Sequence, residues 1–508
     1  VGRCQRGPVN VPVTVRDFAG FQRVFGGLWA SSSLSYAVEH FFEHGGRCAV
    51  IVRVANGAKC ATLNLPCGTA TLSLQALAPG AHEYLRAAVD YDNIPVEQSD
   101  CFNLVIQRLR GPKSEHIEDQ ESYRRISISQ DTQRFIGREL AKSSLVKILG
   151  PVPSQRPDVT RSDEPPYAVG YVHTNNDGSD GASLTDYDLI GSATSGSGLF
   201  ALMQLERVDY VYLPPLGRKL EIGASTLLAA IHFCRRRHAM LIVDPPASWN
   251  SADIALREMR EFYFLCDQAV MFFPRIMAMD RLRGQFDCFG NGGAVAGLLA
   301  KAEELTPPWA LNKGDPDMSL RRGIRLQVEL SEQQRWRLTN HGINTLQTVR
   351  HHAEIKPVLR TLAGGIHASA DFGYVRTRRF VLDVLASLER STRWVMLSTP
   401  NPSMWSRLLR QVTEYMQSLV MVGAFPDSHM GREFFVICDE RINGDITAEI
   451  PEIKILIGFA SWHAEQYQTY VISHSITGSH TRAVAVNCYQ ASSDYSDTEQ
   501  TLPLVALK

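Results

Sequence analysis

A multi-domain α/β and α+β chain is predicted, with a doubly wound, mostly parallel sheet as its core, an inserted antiparallel β domain, and a C-terminal α+β domain ending in strands. Three observations predict it. Apolar strands alternate with helical segments after residue 190, short alternating runs fill residues 61–149, and long helices followed by strands make up the last third. The length of 508 residues suits about three domains, each able to bury a core without disulfides.

Residues 34–44 carry apolar positions at helical spacing, and a Gly45-Gly46 turn leads into the continuous apolar run 48–54, a buried strand. The same order returns downstream. A helix near 197–206 precedes the strand 208–214, a helix near 223–236 precedes 240–246, and a further helix precedes 269–274. Pro214, Asp244 and Pro274 mark where loops leave these strands. The core domain is therefore assigned to 1–60 and 165–300, interrupted by the β-rich insertion at 61–149 and a Pro-rich, charged linker at 150–167. The C-terminal domain, 301–476, is expected to hold helices near 331–339, 377–392 and 403–420 before its strands. A polar, acidic tail follows at 477–508.

Composition excludes several function classes. Hydrophobic residues at 44% and charged residues at 21% are a globular mixture, and a net charge of -1 offers no basic face for nucleic acid. The local run Arg235, Arg236 and Arg237 closes a helix, where cations suit the carbonyl end. Ten scattered cysteines form no Cys-x-x-Cys pair and are expected as reduced core thiols. No apolar stretch reaches the roughly 18–20 residues that span a bilayer, and no charged-then-apolar leader opens the sequence, so no membrane insertion is expected.

Four strings invite a catalytic interpretation. His40-Phe41-Phe42-Glu43-His44 matches the His-x-x-Glu-His pattern that places two zinc ligands on one helix face, with Glu43 to polarise water. The competing interpretation puts the phenylalanines in the core and the histidines near the helix end. Gly196-Ser197-Gly198-Leu199-Phe200-Ala201 resembles a phosphate-cradling loop but lacks the strand before it. Asn175, Asp177 and Ser179 alternate as in a calcium loop, yet Asp180 stands where that loop needs Gly. Asp244 ends an apolar strand, where hydrolases hold carboxylates, but the prolines after it serve equally to stop the strand. His351 and His352 have no partners at ligand spacing. No catalytic residue, metal ligand or cofactor is assigned.

Read in order, several phrases resemble the phage tail sheath family over most of the chain, to about residue 476. They are Gly2, Gly7 and Pro8 with Phe21, Phe25, Gly26 and Gly27; then the Phe41-Phe42 helix, the Gly-Gly turn and the strand ending Val52-Arg53-Val54. Pro79-Gly80, the stretch 178–181, Leu338 with Asn340, Gly342, Ile343 and Asn344, and Arg360-Thr361-Leu362 follow. The stretch 134–148 also fits, and Arg378-Arg379, Asn401 with Trp405, Gly423-Ala424-Phe425 and the stretch 434–443 complete the series. The sequence departs from the family at Phe289–Gly293, at His463–Tyr467 and after 476, and the extended N-terminal arm is not in it.

The resemblance implies a structural subunit, not an enzyme. Such subunits stack as helical hexameric rings around an inner tail tube, between a baseplate and a tail terminator, and contract to drive the tube through a target envelope. It implies a virion tail or contractile injection particle assembled in the bacterial cytoplasm. Two sets of residues become candidates. The first is a pair of intersubunit strands: Ile453, Lys454, Ile455, Leu456, Ile457, Gly458 and Phe459, with Thr469, Tyr470, Val471, Ile472 and Ser473. The second is Arg407 and Arg410, facing the tube. The alternatives are a zinc-dependent hydrolase built on His40 and His44, and a baseplate or tail-terminating relative that does not polymerise.

Overall fold

The structure is a computed structural model that describes residues 1–112, 114–160, 170–218, 220–259, 265–310, 317–348, 358–365, 373–397, 401–426, 433–444, 452–460 and 467–484. His351 and His352 lie outside the described residues, as does the tail after 484.

Four parallel strands form the central sheet, in the order Tyr210–Tyr212, Met240–Val243, Ala269–Phe273 and Ile343–Thr345. Strand alternation sends successive side chains to opposite faces. Val211, Leu241, Val243, Met271, Phe273 and Ile343 join one core with Ala230, Phe233 and Cys234 of the helix Ala224–Arg237 and Leu256 of Ala252–Met259. Met240, Ile242, Val270 and Phe272 join another with Val295 and Leu298 of the helix Gly292–Leu305 and Leu382 of Val375–Ser391. Both faces are thus covered, which is why these strands read as continuous apolar runs.

Three expectations for this layer change. The run 48–54 does not enter the parallel sheet; Ala49–Ile51 pairs antiparallel with Val13–Val15, while Val52 and Val54 reach the main core beyond it. The fourth parallel strand, Ile343–Thr345, comes from beyond residue 300, so packing does not divide there. The segment near 197–206 is a short 3-10 helix, Gly198–Gln204.

The helices Ser33–Glu43 and Gly292–Leu305 cross at backbone contact. A Cβ on Gly293 would lie 2.3 Å from the Ala37 carbonyl oxygen, and one on Gly297 would lie 2.3 Å from that of Phe41. Only glycine admits this approach.

Residues 62–149 form two antiparallel sheets around one core. Thr62–Cys67, Ala70–Ala76 and Val146–Leu149 make the first; Ile117–Ser127, Cys101–Leu109, Tyr84–Asp90 and Val172–His173 make the second. Leu63, Leu74, Leu85, Leu104, Ile106 and Val146 are buried between them. The Pro-rich stretch expected as a linker is strapped to this unit over its described part. Asp158 N–H donates to the Pro66 carbonyl (2.7 Å), Thr160 N–H to that of Val89 (3.0 Å), and Arg156 stacks on Tyr91 at 3.6 Å. The strap and Val172–His173 extend the β unit past 149.

In the last third, Asn401 caps the helix Pro402–Met421 by accepting from Met404 N–H, with Pro402 at its first position. Its stripe Met404, Leu408, Val412, Met416 and Leu419 packs with Phe380, Leu385 and Leu388 of Val375–Ser391. Beneath lies an antiparallel meander, Phe434–Ile437, Ile453–Ala460, Tyr467–Ser475 and Gly478–Ala483, contributing Ile455, Ile457, Phe459 and Ile472 to the same core.

Candidate functional site

The His40 and His44 pair is used structurally. His40 is buried against the Phe289 ring (5.4 Å between centroids), and burial pulls its imidazole down to about 3. His44 Nδ1 lies 2.7 Å from the His40 carbonyl, so it carries the proton and donates. Nε2 then accepts from Arg321 N–H (3.3 Å), leaving no lone pair for a metal. Glu43 pairs with Arg281 (2.8 Å) and Arg321 (2.6 Å). Among the described residues, no group of three His, Cys, Asp or Glu side chains is placed to hold a metal.

The other strings are likewise taken up in packing. Asp244 accepts from the Tyr212 hydroxyl (2.6 Å) and from Gly292 N–H (2.8 Å), tying two strand ends to a helix start, and burial raises its carboxyl. Gly198 N–H donates to the Asn10 side chain, and Asp177 accepts from Thr62 N–H and hydroxyl. Among the described residues, Cys4, Cys67, Cys234, Cys266 and Cys438 are buried thiols, whereas Cys48 is exposed.

Among the described residues, three surface features bear on assembly. Where the N-terminal region meets the β unit, a cleft of ≈ 1110 Å³ is lined by Gln22, Arg23, His82, Arg108, Arg110 and Glu118. The buried Arg6 spans it with a 2.5 Å ion pair to Glu118. On Pro402–Met421, Arg407 and Arg410 point away from the core stripe and are exposed. Arg407 stacks on Trp394 at 4.5 Å, and Arg410 lies 3.9 Å from Glu414.

The third is the C-terminal meander. The candidate strand at 453–459 pairs on one side with Phe434–Ile437 and on the other with Tyr467–Ser475. The candidate at 469–473 sits between Ile453–Ala460 and Gly478–Ala483. Both are interior strands here. The edges belong to Phe434–Ile437 and to the polar Gly478–Ala483.

No family model matches the chain, and no curated protein matches it in sequence. A solved sheath tail protein from Listeria innocua superposes with a TM-score of 0.60 at 11% identity, covering 94% of this chain and 93% of that one. The fold is that of a sheath tail protein. A baseplate structure of the anti-feeding prophage (TM-score 0.41, 15% identity, 57% and 73% coverage) is also similar. So is a contracted sheath complex of an extracellular contractile injection system (TM-score 0.40, 16% identity, 55% and 75% coverage).

A buried and a half-buried arginine that join elements of this fold were not singled out in the sequence. Arg379 reaches Glu303 (2.7 Å) and Asp209 (3.0 Å), linking Val375–Ser391 to Gly292–Leu305 and the parallel sheet. Arg218 reaches Asp280 (2.5 Å), Asp287 and the Tyr36 hydroxyl. Their signal, an arginine among apolar periodic positions, was visible only at Arg378-Arg379.

Proposed function

We propose that this chain is a structural subunit of a contractile sheath, polymerising as helical hexameric rings around an inner tube. On this reading it acts without catalysis in a phage tail or related injection particle. The observation that carries it is correspondence of fold over nearly the whole of both chains with a sheath tail protein. Contraction would draw on a bistable lattice, a small change per subunit multiplied along the stack. Assembly would occur in the bacterial cytoplasm, with the tube protein, a baseplate and a terminator as partners. The β unit would face outward, the C-terminal unit would carry assembly contacts, and Arg407 and Arg410 would meet acidic groups on the tube.

Strand exchange through 453–459 and 469–473 would require a neighbour's strand to replace an edge of the meander, Gly478–Ala483 or Phe434–Ile437. Negative-stain microscopy of the purified chain tests the proposal. Sleeves or tubes support it, rings alone indicate a terminator, and persistent monomers at high concentration refute it. Truncation after Asn443 should abolish sleeves; normal sleeves from the truncated chain would remove the strands from the assembly.

A further inference from the structure

The C-terminal ends of Ala224–Arg237 and Val375–Ser391 meet at a shallow surface cleft. Its lining includes Arg207, Arg236, Arg237, Arg390 and Arg393, five guanidinium groups against the carboxylates of Glu206 and Glu389. Three of the five are engaged: Arg207 with Asp209 and Asp383, Arg393 with Glu389 (3.3 Å), and Arg237 with the Glu206 carbonyl (3.1 Å). Arg236 and Arg390 are exposed and make no ion pair among the described residues. Arg237 Nε is buried with no partner there. Helix ends attract cations, which accounts for arginines on each helix taken singly. It does not account for their convergence from two helices. Burial first, then repulsion from Arg393 and Arg236, weaken the hold of Arg237 on its proton.

We propose that this cleft docks the chain's own acidic C-terminal segment, through Asp494, Asp497 and Glu499. The chain departs beside it. The Thr481 hydroxyl on Gly478–Ala483 donates to Glu389 Oε2 (3.2 Å), and Glu389 lines the cleft. Residue 484 lies about 10 Å further along at about 3.3 Å per extended residue, and the ten residues from there to Asp494 reach about 33 Å, enough to return. Between 485 and 507 the sequence has no Lys or Arg, so the segment brings only negative charge until Lys508. Exposed ion pairs are individually weak, but tethering supplies an effective concentration on the order of millimolar.

The test uses the full chain with a benzophenone amino acid at Tyr495, irradiated as a mixture of isotopically light and heavy subunits. Crosslinks mapped by mass spectrometry should fall within one chain, on 206–208, 236–238 or 386–393. Their yield should drop about fivefold or more at 1 M salt, where the screening length is about 3 Å. The exposed pair Arg236→Glu/Arg390→Glu should abolish them while circular dichroism is unchanged. Crosslinks elsewhere, between light and heavy chains, absent altogether, or indifferent to the charge reversal would overturn the proposal.

Discussion

Arg379 is 2% exposed, donates to both carboxylate oxygens of Glu303 at 2.7 and 3.1 Å, reaches Asp209 at 3.0 Å, and lies 4.8 Å from the Tyr210 ring centre. Arg379→Met keeps most of the aliphatic stem and removes the charge. It leaves Glu303, already accepting from the Tyr210 hydroxyl, without its cation; Asp209 keeps Arg207 at 2.8 Å. Breaking one side of a buried pair costs about 3–5 kcal/mol. With a urea dependence of a few kcal/mol per molar, the unfolding midpoint should fall by about 1–2 M. The double variant Arg379→Met/Glu303→Leu removes both charges and should recover to within about 1–2 kcal/mol of the parent. Urea unfolding followed by fluorescence, with pulse proteolysis to locate the opened region, reads both. A single variant within about 0.5 kcal/mol of the parent, or a double as unstable as the single, would refute the assignment of this network as a joint between elements.

Gly297→Ala should destabilise by about 1–3 kcal/mol despite its better helix propensity, because the added methyl meets the Phe41 carbonyl rather than a movable side chain; thermal unfolding checks it. Acid should destabilise the fold in two windows. Buried His40 and His474 stay neutral down to about 3 and about 4, so their contribution is complete above the ordinary 6.5 and is lost as pH falls through those values. Glu389 is held near 2 by His238 and Arg393 despite burial, so its contribution is lost from about 4.5 downward; His40→Leu should flatten the upper window in urea midpoints measured between pH 7 and 4. Arg407→Glu/Arg410→Glu should leave stability within about 0.5 kcal/mol, since both side chains are exposed, yet impair sleeve growth on tubes seen by microscopy. Removing 61–173 should leave a soluble, polymerising subunit, because the bridge Lys59↔Ser179 brings the cut ends together; aggregation would assign the β unit to the core.

The parallel sheet was legible because its strands are buried on both faces and therefore read as unbroken apolar runs, as at Met240–Val243 and Ala269–Phe273. Length and pairing were less legible. The run 48–54 looks like the same kind of strand, but only Ala49–Ile51 is in strand, and its partner, Val13–Val15, sits in a stretch with no local signal beyond β-branching. The fourth strand, Ile343–Thr345, is three residues long and follows the helix Glu332–Thr339 after a short turn, too brief for periodicity to register. The Pro-rich 150–160 has linker composition, and nothing local reveals that Pro66, Val89 and Tyr91 supply its hydrogen-bond partners from 66 or more residues away.

The same distinction governs the candidate site. Arg407 and Arg410 became tube-facing candidates through the family resemblance alone; their exposure beside the buried stripe Met404, Leu408 and Val412 is a property of one helix, whereas what they face is not. The C-terminal strands were legible as strands, but whether they are edge or interior is set by neighbours. Gly478–Ala483 reads as a polar stretch, and only its pairing Ile472↔Thr481 turns 469–473 into an interior strand. That edge is also the weakest element of the meander, since its side chains bury little apolar surface and its attachment is mainly backbone hydrogen bonds with His474–Ser479 and Thr481–Glu389 contacts. An edge held by polar contacts can be displaced by another chain's strand at small net cost, because each hydrogen bond lost is remade. The residues to examine for subunit exchange are therefore Gly478–Ala483 as well as the two strands the sequence singled out. Thr481→Val, which removes the Glu389 contact but keeps the β-branched shape, should ease that displacement and lower the concentration at which sleeves form. A raised or unchanged threshold would show that the edge stays in place during assembly.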